Sequence, residues 1–260
     1  FLKCVPDTPI AWGFYPPYAY LAAWDIPKED WDGMHIEPVK CGYEGLDRIQ
    51  RVLRDRNLDF HIVNIEKAPL SELKRHKFIV LHGGFFMDVK TQRKLAAYSS
   101  AGGKVIFIGE TPRLDEDFKD CRILQKKSFC VLKTEDIGGL LGRYHGKLSV
   151  NDPETQVWAY DDPARKTQFF FVLNLSTNAG PRYFTYNGTK ASVTVPDKSV
   201  AVVKVKGGDL DSLFIKGINE MNGTSVVPAA SFGKDVFKAM RSCDILAYRK
   251  GKKWETKIAV

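Results

Sequence analysis

Residues 77–112 read KFIVLHGGFFMDVKTQRKLAAYSSAGGKVIFIGETP. Two short apolar runs, Phe78–Leu81 and Val105–Ile108, flank a segment with helical spacing, and glycine follows each run. Short continuous apolar runs separated by a helix are typical of parallel strands that are covered on both faces. The stretch therefore predicts a strand–helix–strand unit of a parallel sheet.

The chain on either side of this unit repeats its pattern. Strands are predicted over residues 8–14 and 60–65, and apolar residues at helical spacing predict a helix over 43–56. Asp88 is placed to cap the helix that runs to Ser100. Alternating strands and helices with short connections predict an α/β domain with right-handed crossovers. We assign it to residues 1–136.

The period changes in the second half, residues 137–260. Short strands alternate with turns, and Asn187-Gly188 between two of them is a strong hairpin signal. Regular strand spacing of this kind predicts a β-sandwich. The predicted strands cover residues 156–160, 168–175, 182–186, 191–195, 200–205, 213–218, 225–227, 244–248 and 254–258.

Charge, motifs and cysteine content limit the classes of partner and the compartment that the sequence supports. The chain has 260 residues and a formal net charge of +8, and its densest basic run, residues 249–253, reads as a solvated hairpin turn. We find no nucleic-acid motif and no apolar run near the ~20 residues that a membrane span needs. Five widely spaced cysteines argue against a disulfide framework or a zinc site and slightly favour a reducing compartment, the cytoplasm. Both ends suggest a piece of a longer chain.

The carboxyl ends of parallel strands are where ligands usually bind. Residues 82–84, His-Gly-Gly, match an oxyanion loop or a turn in which glycine relieves crowding. Gly109 and Glu110 stand where a nucleophile elbow, Gly-x-Cys-x-Gly, would be. Because Glu110 replaces the cysteine, we interpret this as a vestigial elbow and predict no catalytic residue. The acidic run 115–117 reads as a solvated loop, since a glycosidase needs carboxylates on facing elements.

An aromatic segment over residues 12–31 is the strongest functional candidate. Aromatic faces stack on sugars and also fill interfaces. Contact with another domain or subunit, contact with a sugar, and an internal core are all open for it. The candidate substrate-binding or interface residues are Trp12, Tyr15, Tyr18, Tyr20, Trp24 and Trp31.

Five stretches carry a family resemblance: Trp12-Gly-Phe-Tyr-Pro-Pro-Tyr, residues 78–84, residues 103–112, Phe169-Phe-Phe-Val-Leu-Asn-Leu-Ser and residues 193–203. With them the chain resembles the region after the catalytic barrel in β-galactosidase-like glycosidases. The group is that of glycoside hydrolase families 35 and 42, including the exo-β-glucosaminidase type.

The resemblance implies a flavodoxin-like, degenerate class I glutamine amidotransferase-like domain, which mediates oligomer contacts, followed by a β-sandwich. It also implies an N-terminal (β/α)8 barrel that bears both catalytic glutamates, neither of which has a counterpart here. The chain is then the non-catalytic C-terminal portion of a retaining β-glycosidase that acts on terminal β-linked sugars. The expected partners are the barrel, further copies of the chain in a homo-oligomer, and the carbohydrate substrate. No cofactor or metal is expected. The alternative is a carbohydrate-binding or interaction module without a catalytic partner.

Overall fold

The structure is a computed structural model. It describes residues 4–18, 49, 51–53, 58, 60–131, 133, 136–141 and 146–259. The chain divides into two compact units. The α/β domain comprises Thr8–Arg56 and Phe60–Tyr144, and the β domain comprises Phe1–Asp7, Asn57–Asp59 and His145–Val260.

The first strand, β1 (Val5–Pro6), belongs to the β domain, and the next five form a parallel sheet in the α/β domain. These are β2 (Ile10–Phe14), β3 (His61–Asn64), β4 (Phe78–His82), β5 (Lys104–Ile108) and β6 (Ser128–Val131). The sheet has the order β3-β2-β4-β5-β6, and all its pairings are parallel. The parallel sheet expected from the sequence is therefore present.

Among the described residues, helices α1 (Leu70–Leu73), α2 (Val89–Ser100) and α3 (Ile137–Leu141) accompany these strands. In α2, Leu95 and Tyr98 pack in one apolar cluster with Ile79 and Phe107 of the sheet. Asp88 is the N-cap of this helix, as predicted, and its carboxylate accepts a hydrogen bond from the backbone N–H of Thr91 at 2.7 Å. Of the predicted helix over 43–56, the described residues 49 and 51–53 are helical.

The β domain consists of antiparallel strands in two main sheets. Its strands are β7 (Leu148–Val150), β8 (Thr155–Asp162), β9 (Thr167–Asn174), β10 (Gly180–Tyr186), β11 (Thr189–Val195), β12 (Val200–Lys206), β13 (Asp209–Ile215), β14 (Ile218–Asn219), β15 (Thr224–Ser225), β16 (Ala229–Phe232), β17 (Asp235–Lys238), β18 (Asp244–Lys250) and β19 (Lys253–Ala259). The orders are β1-β8-β9-β12-β13-β18-β19 and β17-β16-β11-β10-β7, with β14 and β15 as a separate pair.

Both main sheets contribute to one apolar core, in which Phe170, Phe184 and Phe232 are in ring contact. The turn between β10 and β11 has φ of 48° at Asn187 and 77° at Gly188. Two consecutive positive φ angles define the type I′ turn that this dipeptide predicts. Within the described residues, no helix is both long and apolar enough to cross a membrane.

Candidate functional site

The candidate site of the α/β domain is the carboxyl edge of its parallel sheet. The strand order reverses between β2 and β4, and in open α/β sheets the ligand crevice lies at this switch point. Tyr15 and Tyr18 follow β2 here, and only 5% and 1% of their surfaces are exposed. Both are members of the apolar core cluster. The domain therefore places its own aromatic side chains in this part of the crevice.

The two tyrosines hold the loop that follows β4. The Tyr18 hydroxyl donates to the carbonyl oxygen of Phe86 at 2.5 Å and lies 3.4 Å from that of Gly84. The Tyr15 hydroxyl donates to Asp88 Oδ2 at 2.9 Å and accepts from the Asp88 backbone N–H at 3.1 Å. Burial raises the pKa of Tyr15, so this hydroxyl keeps its proton. These bonds fix the loop to the end of β2.

Local sequence explains how the tyrosines reach this position. Pro16 and Pro17 stop β2, and the chain makes one helical turn, in which the Tyr18 N–H donates to the Tyr15 carbonyl oxygen at 3.1 Å. The two rings meet edge to face, with centroids 4.7 Å apart. Tyr18 also meets Phe86 edge to face at 5.7 Å. The result is a continuous aromatic contact from β2 to the β4 loop.

The remaining aromatic candidates fall in two groups. Trp12 lies in the middle of β2 with 6% of its surface exposed, and its indole N–H has no hydrogen-bond partner among the described residues. Tyr20, Trp24 and Trp31 lie outside the described residues. The structure thus brings Tyr15 and Tyr18 together in the interior. Substrate or interface contact by the aromatic segment stays a prediction.

The vestigial elbow follows β5. Gly109 has φ of 98°, and Glu110 is exposed. The backbone N–H of Gly83 donates to the Ile108 carbonyl oxygen at 2.8 Å, so it already has an acceptor within the sheet. A Cβ on Gly83 would lie 1.7 Å from the Glu110 carbonyl oxygen. Glycine at position 83 therefore relieves crowding between the two loops.

The thiol of Cys130, which the sequence pattern did not indicate as a candidate, lies beside this turn. Cys130 Sγ on β6 donates to the Gly109 carbonyl oxygen at 3.0 Å, and burial raises the pKa of this thiol. The register pairs Cys130 with Phe107 but His82 with Ile108, so the thiol and the imidazole lie on opposite faces of the sheet. Cys130 and His82 therefore do not form a nucleophile–base pair. The sequence pattern did not predict strand β6. A prediction of that strand beside β5 would have placed Cys130 next to Gly109.

The acidic loop after the elbow has structural partners. Glu116 Oε2 accepts from the Val89 N–H at the start of α2 at 2.8 Å. Asp115 Oδ1 accepts from the backbone N–H groups of Asp117 and Lys119. Phe118 in this loop has φ of 59°, and its ring stacks on Phe85 at 6.0 Å. Glu116 therefore holds the loop against the helix, and Asp115 fixes the shape of the loop itself.

The β domain contains a cavity of about 640 Å³. Asp197 is buried nearby, and hydrogen bonds from Thr224 and Asn222 hold the pKa of its carboxyl below the usual range. These bonds fix the β14–β15 hairpin at the cavity. The cavity is lined by Leu173, Asn174, Leu175, Lys198, Ser199, Val200, Lys216, Asn219, Glu220, Met221 and Asn222. Apolar, amide and charged side chains are thus all available to a ligand there.

Sequence comparisons find similarity between part of the chain and parts of proteins named as a glucosaminidase and a glucosyltransferase. Residues 27–147 match the family model described as GLMA-like, second domain. The chain is 28% identical over 117 residues to an exo-β-D-glucosaminidase of Pyrococcus horikoshii and 28% identical over 143 residues to a β-1,2-glucosyltransferase of Ignavibacterium album. The matches cover 45% and 52% of this chain but only 15% and 20% of those proteins.

Solved structures share the fold. The β-galactosidase of Bacillus circulans sp. alkalophilus matches 78% of this chain with a TM-score of 0.54 at 11% identity. The GH42 β-galactosidase Gan42B of G. stearothermophilus matches 76% with a TM-score of 0.53 at 11% identity. The chain covers 42% and 40% of these two proteins. It is thus similar in fold to a part of larger glycoside hydrolases.

Proposed function

We propose that the chain is a non-catalytic accessory portion of a β-glycosidase, where it supports a (β/α)8 catalytic barrel and takes part in oligomer contacts. The observation that carries this proposal is the switch-point crevice, in which Tyr15 and Tyr18 occupy the place of a ligand. Glu110 in place of a thiol, and the separation of Cys130 from His82, agree with it. The parent reaction is hydrolysis of terminal β-linked sugars with retention.

The relatives support a role that is independent of the exact reaction. Regions similar to this chain occur both in a protein named as a glucosaminidase and in one named as a glucosyltransferase. Similarity to parts of enzymes that carry out different reactions fits a supporting role better than a role in the chemistry. The strand order β3-β2-β4-β5-β6 is that of flavodoxin-like folds, which supports descent from an amidotransferase-like domain.

The complete reading frame that encodes this chain provides the test. We expect it to encode a (β/α)8 barrel, and its product to hydrolyse a β-glucosaminide or a β-galactoside. Proton NMR of the first-formed sugar is expected to show a retained anomeric configuration. A reading frame without a glycosidase domain would contradict the proposal.

The cavity in the β domain favours a second candidate, a carbohydrate-binding module. Asn222, Glu220 and Lys216 offer donors and acceptors for sugar hydroxyls at this cavity. Trp24 of the aromatic segment is a separate candidate for ring stacking, independent of the cavity. Calorimetric titration of the chain with β-linked oligosaccharides separates the candidates. Binding that is lost in Glu220→Ala or Trp24→Ala supports a binding module, whereas no binding supports the accessory role.

A further inference from the structure

The dipeptide Asn-Gly occurs twice in the chain, at Asn187-Gly188 and at Asn222-Gly223. Both lie in turns of the β domain, the first between β10 and β11 and the second between β14 and β15. Asparagine is a thermolabile residue, because the backbone nitrogen of the next residue attacks its side-chain carbonyl carbon. Glycine in the next position leaves this attack unhindered, since it has no Cβ. The two dipeptides therefore have the same chemistry, and the fold decides which of them reacts.

The side chain of Asn187 is not held by the fold. The residue is exposed, and its side-chain amide makes no hydrogen bond to any residue that the structure describes. Its backbone N–H donates to the Lys147 carbonyl oxygen at 2.8 Å, whereas the N–H of Gly188 has no backbone acceptor among the described residues. A Cβ on Gly188 would meet nothing within 4 Å. Both the carbonyl carbon and the nitrogen that attacks it are thus accessible.

The side chain of Asn222 is held by a carboxylate. Asn222 is also exposed, and a Cβ on Gly223 would also meet nothing within 4 Å. However, the Asn222 amide donates to Asp197 Oδ2 at 2.5 Å. Asp197 is buried, and its other oxygen accepts from the Asn219 amide and the Thr224 hydroxyl. The Asn222 amide must therefore leave this network before its carbonyl carbon can turn towards the next backbone nitrogen.

The bond to Asp197 sets the expected difference between the two sites. A hydrogen bond to a charged group shifts an equilibrium by about one to two powers of ten. The population of Asn222 with a released amide is lower by this factor, while Asn187 has no such bond to break. In the folded chain, we therefore expect Asn187 to lose its amide about tenfold faster than Asn222.

We propose that Asn187 is a site of spontaneous deamidation, which converts the turn between β10 and β11 to aspartate and isoaspartate. The Gly188 nitrogen forms a bond to the side-chain carbonyl carbon of Asn187, and the bond from that carbon to the amide nitrogen breaks. The amide nitrogen leaves as ammonia and takes the proton of the Gly188 N–H. Water then opens the succinimide ring at either of its two carbonyl groups, which gives aspartate or isoaspartate, so water is the only co-reactant.

Isoaspartate changes the hairpin, because the backbone then runs through the former side chain and is one methylene group longer. The two-residue turn fixes the register of β10 and β11, in which Tyr186 pairs with Thr189. Tyr186 and Phe184, two residues apart on β10, both belong to the core of the β domain. The longer turn is therefore expected to destabilise this domain, whereas ordinary aspartate fits a type I′ turn.

Incubation of the folded chain at neutral pH, below its melting temperature, tests the proposal. Isoaspartate is measured with a protein isoaspartyl methyltransferase and labelled S-adenosylmethionine, and peptide mapping by mass spectrometry assigns it to position 187 or 222. We expect it to form about tenfold faster at 187 than at 222 in the folded chain, and at similar rates in concentrated urea, where the bond to Asp197 is lost. Equal rates in the folded chain, or the same tenfold difference in urea, would overturn the proposal.

Three variants serve as matched controls. Asn187→Gln is expected to abolish the signal at 187 and leave that at 222 unchanged. Asp197→Asn is expected to raise the rate at 222 alone, and the urea comparison probes the same bond without relying on the folding of this variant. Asn187→Asp is expected to keep the wild-type midpoint of urea unfolding, while the isoaspartate form, separated by ion exchange, has a lower midpoint. An isoaspartate form with the wild-type midpoint would overturn the effect on the hairpin.

Discussion

Replacing Tyr18 by phenylalanine tests whether the tyrosines of the crevice are structural. Tyr18 is only 1% exposed. The substitution keeps its ring in place and removes only the hydroxyl that donates to the Phe86 carbonyl oxygen. A neutral hydrogen bond contributes about 1 kcal/mol, and a buried acceptor left without its donor costs about 1–3 kcal/mol. We therefore expect the free energy of unfolding to fall by about 1–2 kcal/mol, or about 4–8 °C in the melting temperature of the α/β domain.

Differential scanning calorimetry measures this effect. Tyr18→Ala is expected to cost about 3–5 kcal/mol, because it also leaves a cavity. The control is Tyr183→Phe, at an exposed position, with an expected change within about 0.5 kcal/mol. If Tyr18→Phe is as stable as the wild type, the hydroxyl does not hold the β4 loop and the reasoning about the crevice is wrong.

Two further predictions concern the same domain. Gly83→Ala is expected to lower the free energy of unfolding by about 1–3 kcal/mol or more, because its Cβ would meet the Glu110 carbonyl oxygen. The matched control is Gly139→Ala in helix α3, where a Cβ meets nothing within 4 Å and the free energy of unfolding is expected to rise by up to about 1 kcal/mol. Urea unfolding compares the two variants, and equal effects would contradict the close approach at Gly83. Burial lowers the pKa values of His76 and His61, so the unfolded chain, with histidine pKa values near ~6.5, binds protons more readily. Stability is therefore full above ~pH 6.5 and is lost as the pH falls towards the folded pKa values. His76→Asn is expected to flatten this decline in urea unfolding between pH 7.5 and pH 5.5, while an unchanged slope would show that His76 titrates normally.

Local patterns predicted the parts of the fold that depend on neighbours in sequence. The apolar runs at Phe78–Leu81 and Val105–Ile108 correspond to β4 and β5, since a strand buried on both faces needs such runs. Asp88 and Asn187-Gly188 correspond to a helix cap and a type I′ turn, because each depends on backbone geometry within a few residues.

Contacts between distant residues were not predictable in the same way. Tyr15 and Asp88 lie 73 positions apart, and no periodicity reports that their side chains meet. The same Tyr15 is compatible with stacking on a sugar or with packing in a core, so the sequence left its role open. Strand β6 (Ser-Phe-Cys-Val) is short and follows a lysine-rich segment, and its place beside Gly109 depends on pairing within the sheet.

Assaying the isolated chain tests the central claim most directly. The 260-residue chain, shown to be folded by calorimetry, is incubated with chromogenic β-glucosaminides and β-galactosides. An accessory region without a nucleophile or an acid–base pair is expected to release no chromophore above the buffer rate. Turnover at an enzyme-like rate of about 1 s⁻¹ or more would contradict the account, because the catalytic groups would then lie within this chain.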